Sequence, residues 1–358
     1  MLRYTDVMNI LRIVIMVIAT VVFFGLPTWN LARLKGNKHV LWGVVPIILL
    51  ISSFAFSQIF ESSQMVVLYM VVKQLAYYIL IIGMMLFAMS VFWMLFGHAF
   101  RLKNKTIFWL IIISTLVYIS VGMINGQRIV VKDLTLPAEN ISRQYDFVHI
   151  TDLHSGSTDR AHAQRVVNKI KPLGAEFVVI TGDFIDEFYV SEYDIEPFNS
   201  LDIPIFLITG NHEYYLDEGK INEVIQNTDI LLIDGMKIGF EELDIIGVSE
   251  LSTVDYTIEG VGGIDENRYS IILDHQPKTD EAHRAAENGA ELMLSGHTHK
   301  GQVWPMNWLV RLQFMYISGL YEIGDMFLYV NQGTGTLGPK IRVNSVNEIT
   351  YIHLKPIQ

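Results

Sequence analysis

Residues 147–154 read FVHITDLH, and residues 292–299 read LMLSGHTH. In each, a short apolar run gives way at once to a polar cluster. Apolar runs without alternation suggest strands buried on both faces. Similar runs are Phe177–Ile180, Ile205–Ile208, Leu243–Val248 and Ser270–Leu273. Helix-like segments lie among them: Asp159–Lys171 with Asp159 as N-cap, Asp217–Gln226 and Thr279–Glu287. Strand–helix alternation predicts an α/β layered architecture whose site is built on loops at the carboxyl ends of strands.

The polar clusters fall at such ends. In order they are Asp152-Leu153-His154, Gly182-Asp183, Gly210-Asn211-His212-Glu213, His275 and Gly296-His297-Thr298-His299. Singly, Asp-x-His is a weak signal, and Gly-Asp or Gly-Asn-His-Glu reads as a capped turn. Two histidines one residue apart after a strand rarely serve packing. Together the motifs supply Asp, Asn and His side chains that could converge at one end of a sheet, the inventory that a pair of divalent cations needs. A carboxylate can bridge two cations about 3.5–4 Å apart and so lower the pKa of a water between them. Four imidazoles favour Zn, Mn or Fe over the oxygen-seeking Mg and Ca.

From about residue 145 to 354 the chain resembles the calcineurin-like metallophosphoesterase family. The family pattern is Asp-x-His, Gly-Asp-x-x-Asp, Gly-Asn-His-Asp/Glu, a lone His and Gly-His-x-His, and Asp186 completes the second block. The longer stretch Gly296–Gln302 resembles the family's membrane-associated bacterial branch. The resemblance implies a four-layered αββα sandwich. It implies one metal on Asp152, His154, Asp183 and His299, and a second on Asp183, Asn211, His275 and His297, with Asp183 bridging. It also implies that His212 faces the leaving oxygen as a general acid or electrostatic stabiliser, so His212 and Asp183 are the catalytic pair. Asp186 reads as an orienting residue, and His149, His162, His283 and His353 read as surface or packing residues.

Composition divides the chain of 358 residues near residue 125. Before it lie nine Lys/Arg against Asp6 and Glu61; the remainder holds 17 basic and 35 acidic residues of the chain's 26 and 37. The acidic part is a poor electrostatic partner for DNA or RNA. Cysteine is absent, which excludes disulfides, thiol catalysis and Cys-type zinc sites. We therefore read residues 1–126 as a transmembrane anchor and 127–358 as the metallophosphoesterase domain.

Four apolar stretches, near 8–28, 40–60, 74–97 and 107–124, reach the roughly 20 residues that span a bilayer. Lys73 would sit at the start of the third and His98 at a membrane boundary. Arg33, Lys35 and Lys38 follow the first stretch, and Arg101, Lys103 and Lys105 follow the third. The positive-inside rule makes both loops cytoplasmic, so the expectation is a multi-pass protein with its catalytic domain outside. Trp29, Trp42, Trp93 and Trp109 fall at the same ends of their spans, as an aromatic belt would. The spans hold no Asp or Glu, which leaves a transporter without its usual residues.

Gly333-Thr334-Gly335-Thr336-Leu337-Gly338 has dinucleotide-fingerprint spacing, but Pro339 and the β-branched run beyond it point to a turn into a strand instead of the required helix. Residues 303–320 are unusually apolar. They read equally as core packing or as a membrane-facing lip around Trp304 and Trp308 that admits an amphiphilic substrate. The expected function is a membrane-anchored dinuclear phosphoesterase acting on a phosphoester, with lipid-linked esters, wall-polymer glycerophosphates and nucleotides all open. The rival is a non-catalytic sensor on the same scaffold.

Overall fold

A computed structural model describes residues 25–35, 66–216 and 219–357. The chain divides into two compact units, Met1–Val121 and Gly122–Gln358.

In the first unit the described helices are Leu26–Leu34, Val66–Ala99 and the start of Asn104–Gln127. The latter two are long and apolar enough to cross a membrane. They take in the stretches expected near 74–97 and 107–124, whereas those near 8–28 and 40–60 fall almost wholly outside the described residues. The four-helix region is therefore represented by two such helices. The third stretch begins earlier than expected, because the apolar residues from Val66 continue the helix upstream. Lys73 consequently lies two turns inside it, with Nζ 3.0 Å from the Tyr69 hydroxyl. Trp93 Nε1 donates to Ser114 Oγ at 3.0 Å and ties the two helices together.

The second unit contains twelve described strands in two sheets. The first sheet runs β1 (Ile129–Ala138), β12 (Asn347–Pro356), β2 (Tyr145–Ile150), β3 (Val178–Thr181), β4 (Ile205–Ile208) and β5 (Ile230–Leu232). The second runs β10 (Gly319–Ile323), β11 (Met326–Val330), β9 (Leu292–Ser295), β8 (Tyr269–Leu273), β7 (Leu243–Gly247) and β6 (Lys237–Phe240). Strands β2 to β5 are parallel, as are β7, β8, β9 and β11. The six apolar runs all form strands, and β3, β4, β7, β8 and β9 are buried along their whole length.

Three apolar layers stack between these sheets and the helices outside them. Val166, Val167 and Ile170 of the Arg160–Ile170 helix join Val148, Ile180 and Leu207 beneath the first sheet. Phe147, Phe177 and Ile208 meet Ile245, Ile271 and Leu294 between the sheets. Val254, Ile258, Ala282 and Ala285 cover Ile246, Ile272 and Met293 on the far side. The order helix–sheet–sheet–helix is the one expected. Asp159 caps the Arg160–Ile170 helix by accepting from the His162 amide at 2.8 Å, as its sequence position indicates.

Phe177 sits at the centre of the middle layer. Its ring stacks on Phe147 at 4.6 Å and lies 4.8 Å from Phe240. Phe177→Ala should lower unfolding free energy by about 3–5 kcal/mol, against about 1 kcal/mol for loss of the Asp159 cap in Asp159→Ala. Chemical denaturation of the purified variants checks the ranking; a cap variant as damaged as the core variant would contradict this account of the core.

Candidate metal centre

Both sheets deliver their parallel strands to one end, and the polar motifs begin there. Asp152, Asp183, His275 and His297 each follow their strand by two residues, and Asn211 follows by three. All seven residues expected to ligate come together. His299 Nε2 lies 3.2 Å from Asp152 Oδ1 and 3.0 Å from His154 Nε2. His275 Nε2 lies 3.2 Å from each of Asp183 Oδ2, Asn211 Oδ1 and His297 Nδ1. Asp183 Oδ2 is also 3.8 Å from His154 Nε2. Asp152–His154–His299 and Asp183–His275–His297 thus form two adjoining clusters whose ligand atoms lie within 4.8 Å of one another in each.

These donors suit divalent cations. Asp152 is fully buried, and its Oδ1 accepts no hydrogen bond although Thr151 Oγ1 and the His297 amide both serve Oδ2. Burial alone would raise the Asp152 carboxyl, but His299, His275 and His154 hold it well below the usual carboxylate range. Burial likewise opposes ionisation of Asp183, and His275, His154 and His212 reverse it. The imidazoles answer in kind. Burial disfavours the His154 cation, yet Asp186 and Asp183 raise it to about 9; His275 rises to about 10, chiefly through Asp183 against the same penalty. Two ionised carboxylates held among imidazoles form a negative pocket that needs positive charge.

The backbone here is held in an uncommon form. Asp152, His154, Asp183, His297 and His299 have φ of 51°, 49°, 49°, 66° and 47°, left-handed values that non-glycine residues seldom adopt. Glycines give the loops room: a Cβ on Gly296 would meet Thr151 and Asp152, and one on Gly210 would meet the Asp183 carboxylate.

His212 stands on the open side of the centre. Its Nε2 is 4.0 Å from Asp183 Oδ2, and its ring packs edge-on against His154 at 4.7 Å. Asp186 lies behind His154, 3.5 Å from Nδ1, and accepts from Ser157 at 2.6 Å. His149 and His162 are buried outside the centre, bonded to Thr181 Oγ1 and the Thr334 carbonyl; His353 pairs with Asp146. They are packing residues, as read from the sequence.

Three supports escaped the sequence reading. Glu213 accepts from the Asp183, Gly210 and Ile185 amides at 3.0, 2.8 and 2.8 Å, so it fixes the second motif to the third. The glycine-rich segment at 333–338 is a loop, and no helix follows it. Its Thr334 and Gly335 amides donate to the Thr151 and Asp152 carbonyls. Arg342 is fully buried, bonding the carbonyls of Gln332, Gly333 and Gly335, with Nη2 3.1 Å from His299 Nδ1. Burial lowers this guanidinium to about 10, so it stays charged at neutral pH. Its charge, after burial and alongside His154, helps keep the His299 ring neutral. A lone Arg between Ile and Val offers no motif; the only signal is a cation in an otherwise strand-like run.

Arg342→Met should therefore weaken metal retention by about 10–100-fold, the usual cost of losing a residue that orients a ligand. Calorimetric titration with Mn²⁺, alongside circular dichroism to confirm folding, checks it; unchanged affinity in a folded variant would remove Arg342 from the centre's support.

The profile described as calcineurin-like phosphoesterase matches residues 145–301. An uncharacterized metallophosphoesterase of Campylobacter jejuni is 31% identical over 275 residues, 72% of each chain. A Helicobacter pylori protein of the same description is 27% identical, over 63% of this chain and 64% of its own. A zebrafish (Danio rerio) transmembrane protein with metallophosphoesterase domain is 30% identical, over 69% of this chain and 62% of its own. The likeness to the Campylobacter protein reaches well beyond the five motifs, and with it the chain belongs to the calcineurin-like metallophosphoesterases, metal-dependent hydrolases of phosphoesters.

Proposed function

We propose that the chain hydrolyses a phosphoester at a dinuclear centre, with Asp152, His154, Asp183 and His299 around one divalent cation and Asp183, Asn211, His275 and His297 around the other. Asp183 carries this reading. Its Oδ2 lies between the two clusters, 3.2 Å from His275 Nε2 and 3.8 Å from His154 Nε2. When bound, the cations would activate a water near neutral pH and neutralise charge on the phosphoryl oxygens. The imidazole-rich donor set favours Mn, Zn or Fe.

The chain's own groups do the rest. Asp152 and Asp183 stay ionised, and Arg342 and Asp186 hold His299 and His154 in place. Burial, then the charge of His154, lowers His212 to about 4, so its ring enters the reaction neutral. An arriving phosphoryl anion favours its protonation and lets it pass a proton to the leaving oxygen as the ester bond breaks. Exposed Tyr214 and Tyr215 flank this side, the latter ring 5.9 Å from His212, and offer a surface to the leaving group.

Membrane anchoring is supported by the two apolar helices and by the description of the zebrafish relative. The Arg/Lys clusters at 33–38 and 101–105 favour cytoplasmic loops and an outward catalytic domain. An anchored enzyme of this kind suits an amphiphilic, lipid-linked phosphoester, with nucleotides and glycerophosphate polymers as the competing substrates.

Protons must leave His154 and His275 before cations bind. Metal affinity should therefore climb as pH rises from 7 towards about 9–10, with proton release seen by calorimetry in buffers of different ionisation enthalpy. A flat pH profile would contradict the arrangement. For catalysis, the full-length protein is loaded separately with Mn, Zn or Fe and offered aryl and alkyl phosphoesters, lipid-linked ones included. His212→Ala should cut alkyl-ester turnover by about 10²–10⁴-fold and spare activated aryl esters. Equal loss on both rules out the acid role, and inertness of the loaded wild type towards every ester rules out the enzyme.

A further inference from the structure

The helix Met306–Gln313 buries none of its residues. Trp308, Leu309 and Leu312 recur at helical spacing on one face and are 61%, 54% and 84% exposed; Met315, just beyond, is 66% exposed. Large apolar residues so exposed and contiguous mark an interaction surface. The helix is not loose. Phe314 is buried with its ring 5.1 Å from that of His297, and Thr298 Oγ1 donates to the Ile317 carbonyl at 2.7 Å. The surface thus hangs directly on the Gly-His-Thr-His loop.

What covers it is indicated by its neighbours within the same unit. The Trp304 amide donates to the Val343 carbonyl and the Val343 amide to the Gln302 carbonyl. The Arg342 amide donates to the carbonyl of Gly122, and Asn347 Nδ2 to that of Gly126. A Cβ on Gly122 would strike Ile341, so the contact is close. The segment 340–343 therefore has the Gln302–Trp304 stretch on one edge and the end of the apolar helix Asn104–Gln127 on the other. Leu337 is also exposed, and its amide donates to Gln302 Oε1 in that stretch.

Charge points the same way. The part of the chain after residue 125 holds 35 acidic residues, yet none lies between Lys300 and Tyr321, where the charges are Lys300 and Arg311. Trp with Leu on one face and Arg beside it is the composition of a helix lying in a bilayer interface.

We propose that the face formed by Trp308, Leu309, Leu312 and Met315 docks into the headgroup–acyl boundary of the lipid bilayer that the Asn104–Gln127 helix enters. This holds whatever ester the centre cleaves. A neutral apolar protein groove would not call for the cleared acidity, and a second copy would leave the face buried but dry.

The test uses the absence of cysteine from the chain. Leu312→Cys and Met315→Cys, both at exposed positions, are introduced singly into the full-length protein and labelled with a nitroxide or a polarity-sensitive fluorophore. Glu266→Cys, exposed just before β8 at the end of the sheet away from the centre, is the control. The labelled proteins are reconstituted into vesicles of phosphatidylcholine and phosphatidylglycerol. Docking predicts that the Leu312 and Met315 labels gain collisions with oxygen, lose collisions with an aqueous nickel reagent and are quenched by brominated acyl chains, while the Glu266 label is unchanged. Lip labels that match the control overturn the proposal. Labels shielded from both reagents, with spin–spin broadening, overturn it in favour of a second copy.

Discussion

Two carboxylates that cannot reach water govern the catalytic unit. Asp152 is fully buried and Asp183 nearly so, and both are ionised. Leaving a buried charge uncompensated costs several kcal/mol, of order 3–5 when a partner is removed. Imidazoles at 154, 275, 297 and 299 surround them because strands from both sheets end at the same level. Against burial, Asp183, with Asp186 and Asp152, in turn raises His154 and His275 to about 9 and about 10, so carboxylates and imidazoles stabilise each other's charge. Everything that brings the loops of β2, β3, β8 and β9 together serves that charge balance.

The same centre carries the backbone's strain. Five of its residues occupy left-handed φ, a conformation costing about 1–3 kcal/mol each for non-glycine residues. Such a conformation persists only where neighbours over-determine it. Glu213 binds three amides across two motifs, and Thr334 with Gly335 binds the carbonyls on either side of the Asp152 linkage. Packing between the sheets then supplies the free energy that holds the loops together: Phe177 stacks on Phe147 and meets Phe206 edge-on in the layer from which β2, β3 and β4 emerge.

What was legible in the sequence follows from local physics. A strand buried on both faces is apolar throughout, so Ile205–Ile208 and Leu292–Leu294 declare themselves, and a polar residue just past the end marks a loop. By that offset Asp152, Asp183 and His297 lie two residues past the ends of β2, β3 and β9. Tertiary pairing is not written locally. Nothing about Asn347–Pro356 says that it inserts between β1 and β2, which needs a partner some 200 residues away. Arg342 carries no local signal for the same cause: its carbonyl partners and His299 become neighbours only when the 331–343 loop folds back over the Asp152 turn. The pattern over Thr279–Glu287 gives the observed helix limits, whereas the hydropathy stretch near 74–97 starts later than the helix from Val66, because hydropathy marks where a chain suits lipid, not where helical bonding begins.

Arg342 also shows how the centre is joined to the rest of the unit. Its side chain reaches His299 while its amide donates to Gly122, and the next residue, Val343, accepts from Trp304. One short segment therefore touches a ligand of the centre, the end of an apolar helix and the exposed aromatic lip. Close approaches at Gly122 and Gly126 leave no slack there, since any Cβ would collide with residues 340 and 341. The distance from helix end to metal loop is consequently fixed by packing and not by the length of a flexible tether. The His299 loop is thereby oriented in the fold before any substrate arrives, so that ordering cost is not met again at each encounter.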